Sequence, residues 1–126
     1  MRNCRPCTKP RTPTVTALAV LAAVFSGTWA VAREYSKDQS AILGHIAAVA
    51  IARDRCPTIK VNETAVALLL SSARLGSGDL VTQPTSAMAK LWTKVANDKG
   101  EAFCHEIWAA YGPDGSVAPM LLLGRP

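Results

Sequence analysis

The chain has 126 residues, is 49% hydrophobic and 18% charged, and carries a formal net charge of +5 at pH 7. That length holds one domain with a modest core. The excess charge is local: Arg2, Arg5, Lys9 and Arg11, and none of the acidic residues, precede Ala32. The remainder is left at about +1, without the basic footprint that tracks nucleic-acid phosphates.

An uncharged stretch from Thr12 to Ala32 follows the basic head, with an apolar heart from Val15 to Phe25 and a small-x-small end at Ala30-Val31-Ala32. Together these read as a signal peptide over residues 1–32, cleaved after Ala32, with a single helical domain over 33–126. A cut after Ala30, or retention of the segment as an anchor, are the alternatives, since about 20 apolar residues span a bilayer. Thr12, Pro13, Thr14, Thr16, Ser26, Gly27 and Thr28 interrupt this segment and favour the signal peptide. The expected address is the periplasm, with extracellular release or inner-membrane anchoring as alternatives, and contact with a membrane only through the uncleaved segment.

The address also sorts the four cysteines. Cys4 and Cys7 form a Cys-x-x-Cys inside the leader, where no fold surrounds them. Thr8 follows Cys7, so the haem-attachment pattern is absent. Cys56 and Cys104 remain, and an even pair in an oxidising compartment reads as one disulfide rather than two buried thiols.

Ser36-x-x-Gln39 is a capping-box pattern that predicts a first helix from Lys37 to the Arg55-Cys56-Pro57 break. Its faces, Ile42, Ile46, Val49 and Arg53 beside Leu43, Ala47, Ala50 and Ile51, are apolar nearly all round, as in a centrally packed helix. Thr58 to Val61 reads as an extended connector. Asn62 caps a second helix from Glu63 to about Leu75, with a stripe of Val66, Leu69, Leu70 and Ala73 and a stop at Gly76. Gly76-Ser77-Gly78-Asp79 reads as a loop.

Pro84 suits the first turn of a third helix running to about Asn97, with Met88, Leu91, Trp92 and Val95 at helical spacing. Asp98-x-x-Glu101 predicts a second capping box and a fourth helix over about Lys99 to Tyr111. Phe103, Ile107 and Trp108, with Cys104 and Tyr111, form its inner face, and Gly112-Pro113-Asp114-Gly115 ends it. Val117 to Leu123 reads as an extended apolar tail over a groove. No strand-length alternation occurs, so the expected fold is all-α: a small compact bundle of four helices tied by Cys56–Cys104.

Cys104-His105-Glu106 combines a thiol, an imidazole and a carboxylate. Adjacent helical residues diverge by about 100° and cannot converge on one ion. Ala109 stands where a zinc-protease helix needs its second histidine. A metal or catalytic site shared by His45 and His105 is the remaining version of that idea. Trp92, Trp108 and Tyr111 suit core more than a ligand pocket. Asn62-Glu63-Thr64 matches a glycosylation acceptor, although a helix cap explains the same asparagine. Ser71, Ser72 and Ser77 lack a nucleophile motif, and no phosphate-cradling glycine loop is present, so no catalytic, cofactor-binding or metal set is assigned.

The layout of Cys56-Pro57, Asn62 before an apolar helix, Phe103-Cys104 and Tyr111-Gly112-Pro113-Asp114-Gly115 resembles small exported proteins of alphaproteobacteria, over about residues 41–124. The resemblance implies a one-disulfide helical domain and no particular activity. The chain is also similar, more distantly, to HdeA-type periplasmic acid-stress chaperones, which are short, all-helical and held by one disulfide. It departs from them in its lower charge density and in Arg55, which stands where they carry Trp before the first cysteine. The expected function is a non-enzymatic binding or accessory module for a protein or small-molecule partner, with the 117–123 tail the first surface to suspect. An acid-stress chaperone, and a metal protein or enzyme using His45 and His105, are the alternatives.

Overall fold

The first helix, α1 (Lys37–Arg55), begins where the local sequence fixes it: Ser36 Oγ accepts from the Gln39 amide and Gln39 Oε1 accepts from the Ser36 amide, both at 3.1 Å. Both halves of the capping box therefore form. The Gln39 side chain also reaches across to donate to the Ala73 carbonyl at 3.0 Å, tying the start of α1 to the end of the second helix. A computed structural model describes residues 33–126; the expected signal peptide and cleavage after Ala32, with Cys4 and Cys7, lie outside the described residues.

Four helices follow one another: α1, α2 (Glu63–Ser72), α3 (Gln83–Lys99) and α4 (Glu101–Tyr111). They form an all-α unit over Arg33–Pro126. Among the described residues no helix is long and apolar enough to cross a membrane. The centre of the unit is α1, which buries Leu43, Ile46, Ala47, Ala48, Val49 and Ala52. Against it pack α3 and the inner face of α4, Phe103, Ile107 and Tyr111. Small residues on α1 bring the helices close: a Cβ on Gly44 would meet Met88 Sδ of α3 at 3.4 Å.

Cys56 caps α1 and is bonded to Cys104 in the first half of α4, across a sequence separation of 48. The connector after it forms β1 (Lys60–Val61), which pairs antiparallel with β2 (Leu122–Leu123) of the tail. The tail is thus anchored as well as extended, with Leu121 and Leu122 buried in the core beside Ile59. Gly124 follows with φ +78, where a Cβ would meet the Thr58 carbonyl oxygen at 2.3 Å. Backbone approach and positive φ both require glycine there. Gly124→Ala is expected to destabilise by roughly 1–3 kcal/mol, readable as a lower urea midpoint with unchanged slope.

Several local expectations are corrected. The box predicted at Asp98-x-x-Glu101 does not form, because Gly100, with φ 58, is the break between α3 and α4. Asp98 stays inside α3 and accepts from Lys94 at 3.0 Å instead. Helix α2 stops at Ser72 rather than near Leu75, and Arg74 (φ 55) takes the left-handed position expected of Gly76. The segment read as a loop at 76–79 opens a 3-10 turn, Ser77–Val81. Leu91 is 61% exposed, while Thr85 and Ala96 are the buried residues of α3.

Candidate functional site

The helix that the sequence makes most apolar is the one the core uses least. Helix α2 has no fully buried residue; Val66, Leu69, Leu70 and Ala73, its expected stripe, are all half-buried. Between α2 and α1 lies a groove of about 270 Å³ with walls of Ile46, Val49, Ala50, Val66, Ala67 and Leu70. Val61 and Leu80 complete the apolar lining, and Arg53 and Glu63 supply its charges. The two helices run antiparallel through the short 56–62 connector, so Arg53 near the end of α1 and Glu63 at the start of α2 share one end of the groove. Ile46 and Leu70 lie toward the other end. The outcome is a slot with an apolar body and a charged mouth.

Asn62 holds this end in place. Its Oδ1 accepts from the Ala65 amide at 3.3 Å as the α2 cap, and its Nδ2 donates to the Met120 carbonyl at 2.9 Å. Both ends of the amide are therefore used in joining α2 to the tail, which accounts for this asparagine without a sugar.

At the opposite end of α2 a charged cluster appears that sequence reading missed. The Asp79 carboxylate is almost wholly buried and accepts from Arg33 Nη1 at 2.9 and 3.0 Å, from Tyr35 Oη at 2.7 Å and from the Gly76 amide at 2.7 Å. Arg33 Nη2 also donates to the Arg74 carbonyl at 3.0 Å. The Gly76 amide, the Tyr35 hydroxyl and the Arg33 charge together hold the Asp79 carboxyl below its ordinary value, against a smaller opposing effect of burial. The clamp pins residues 33–35 to the turn between α2 and α3. No local motif announces it, because its side-chain partners lie 44 and 46 positions away.

The histidines are placed apart. His45 Nδ1 lies 2.9 Å from Tyr111 Oη, and burial holds its pKa below the ordinary imidazole value. Burial also raises the Tyr111 pKa, so a protonated phenol and a neutral imidazole share this hydrogen bond, whose direction is set by the imidazole tautomer. His105 is exposed on the first half of α4, beside the disulfide that meets the end of α1. Tyr111, which meets His45, lies six residues beyond His105 on α4, about 9 Å along the axis at 1.5 Å per residue, so the two imidazoles meet different parts of that helix. Among the described residues no group of three His, Cys, Asp or Glu side chains is placed to hold a metal. Cys104 is bonded to Cys56, and Glu106 pairs with Lys99.

A second cleft, between α3 and α4, is lined by Trp92, Phe103, Tyr111 and Val117. Trp92 and Phe103 meet as a tilted pair with centroids 6.5 Å apart. Its floor is core (Phe103, Ile107 and Tyr111 are buried), and the Lys99–Glu106 pair also borders it. The expected aromatic cluster is in this sense mostly structural, with Trp108 on the other flank against Gly112. The tail divides likewise: Val117, Met120 and Leu123 are exposed, while Leu121 and Leu122 are core.

His45 has a consequence for acid stability. Its folded pKa is depressed, so the stability it contributes is present above the unfolded value of about 6.5 and is lost as pH falls through the folded pKa. His45→Phe is expected to flatten the loss of thermal stability in that mildly acidic range, measured as Tm against pH.

The chain matches no known family model, no curated protein and no solved structure. Its functional reading therefore rests on its own groove and charges.

Proposed function

We propose that the protein is an exported, non-enzymatic binding module of the periplasm, and that the groove between α1 and α2 receives its ligand. The observation that carries this reading is the unfinished burial of α2: an apolar helix lies beside an open apolar slot instead of closing on it. Burial is worth roughly 25 cal/mol per Å² of apolar surface, so an open slot forgoes stability that a ligand would restore. Export is supported by the charge and apolar pattern of residues 1–32, and the Cys56–Cys104 bridge suits an oxidising compartment.

Filling the slot tests the reading. Ala67→Phe introduces bulk from the α2 wall and Ala50→Phe from the α1 wall. The wild-type protein is expected to bind the fluorescent apolar probe N-phenyl-1-naphthylamine saturably, at one site. Each variant is expected to lose that signal while keeping helical circular dichroism and an equal or higher Tm. Equal probe binding by wild type and both variants would remove the groove from the account.

A second reading, an acid-stress chaperone, is favoured by one observation: Asp79 and His45 both have lowered folded pKa values, so acid withdraws both contributions. It requires that the domain loosen at about pH 2 to 3 and then suppress aggregation of other proteins. Unchanged near-ultraviolet circular dichroism without client protection at that pH would dismiss it.

A further inference from the structure

We infer that the groove takes a single-chain amphiphile with a zwitterionic head, the chemistry of a lysophospholipid; this rests on the groove being the binding site. The shape argues for the chain. The apolar wall of α1 runs from Ile46 to the charged mouth at Arg53, about 10 Å at 1.5 Å per residue, enough for an extended alkyl chain of roughly eight carbons. Val49, Ala50, Val66, Ala67 and Leu70 give it apolar contact along that length, and Leu80 of the 3-10 turn adds to the wall.

The mouth argues for the head. Arg53 and Glu63 border the same slot, one cationic and one anionic. Arg53 donates to its neighbour Asp54 through Nε at 3.1 Å, both side chains are mostly exposed, and among the described residues no hydrogen bond engages the guanidinium's Nη groups. Those groups suit a phosphate oxygen, which accepts readily from a guanidinium. Glu63 suits an ammonium. A simple anion would meet repulsion from Glu63 and Asp54, and a simple cation would meet it from Arg53. A head that carries both signs satisfies the two walls at once.

The test uses octylphosphocholine, octanoate and octylamine below their micelle concentrations, titrated calorimetrically into protein recovered from the periplasm. Octylphosphocholine is expected to bind more tightly than either single-charge compound. Its affinity should rise about fourfold per methylene from butyl to octyl and level off beyond. Arg53→Ala and Glu63→Gln are each expected to weaken octylphosphocholine by about three- to fivefold, Arg53→Ala without weakening octylamine and Glu63→Gln without weakening octanoate. Equal affinity for the three octyl compounds, or head variants without effect, would overturn the zwitterion assignment and leave the groove standing. Absence of binding by all three, together with undiminished naphthylamine binding in Ala67→Phe, would overturn the groove itself.

Discussion

Replacing Cys56 and Cys104 together by alanine is expected to destabilise the domain by roughly 4 kcal/mol, the chain-entropy value for a loop of this length. The sequence separation of 48 encloses the whole of α2 and α3, so reduction frees half of the described chain from its tether. Cys56 is also packed, with 1% of its surface exposed, among Ala52, Ile59, Phe103 and Leu122. Folded domains of this size hold about 5–15 kcal/mol in total. The double variant should therefore keep only about 1–11 kcal/mol and unfold at a clearly lower temperature than the wild type. Urea denaturation with and without dithiothreitol checks this: the wild type should fall to the variant's midpoint on reduction, and the variant should not respond.

Replacement of Asp79 by alanine is the second large effect. The carboxylate is held by four donor contacts from Arg33, Tyr35 and Gly76, and its loss leaves the guanidinium and the phenol without their shared acceptor. Asp79→Ala is expected to lower Tm more than removal of any of the exposed pairs Arg53–Asp54, Lys94–Asp98 or Lys99–Glu106, which are worth about 0–1 kcal/mol each. The pH dependence has a definite sign. A depressed folded pKa means that the stability from Asp79 is fully present above the ordinary carboxyl value of 3.8 and is lost as pH falls through the folded pKa. The wild type should lose stability over that acid range with a steeper slope than Asp79→Asn, in which nothing at this position titrates. Limited proteolysis of the 33–35 arm should also quicken in the variant.

How much the sequence discloses depends on how local each signal is. Ser36 and Gln39 form their box because both partners lie within one turn, and Asn62 caps α2 for the same reason. The Asp98-x-x-Glu101 pattern has the same letters and fails. Helix α3 continues through Asp98 to Lys99 and the chain bends only at Gly100, so Asp98 has helical backbone rather than a cap's and pairs with Lys94 instead. Apolar spacing names the inward faces of α1 and α4 because those helices are wrapped by others. It misplaces Leu91 and overstates the stripe of α2, since spacing does not reveal how many neighbours cover a helix. The groove was invisible for that reason: it is a property of what α2 leaves uncovered. The Asp79 clamp was invisible for another, being assembled by side chains far apart in the chain. The disulfide could be paired from parity alone, because only two cysteines follow residue 32.

Native mass spectrometry of the protein released from the periplasm decides whether an exported domain holds an apolar ligand in its α1–α2 groove. The expected species is a chain that begins at Arg33, lighter by the two hydrogens lost on forming Cys56–Cys104, with a non-covalent amphiphile adduct that Ala67→Phe abolishes. A soluble chain that retains residues 1–32 with free thiols, or an adduct of equal abundance on wild type and Ala67→Phe, would contradict it.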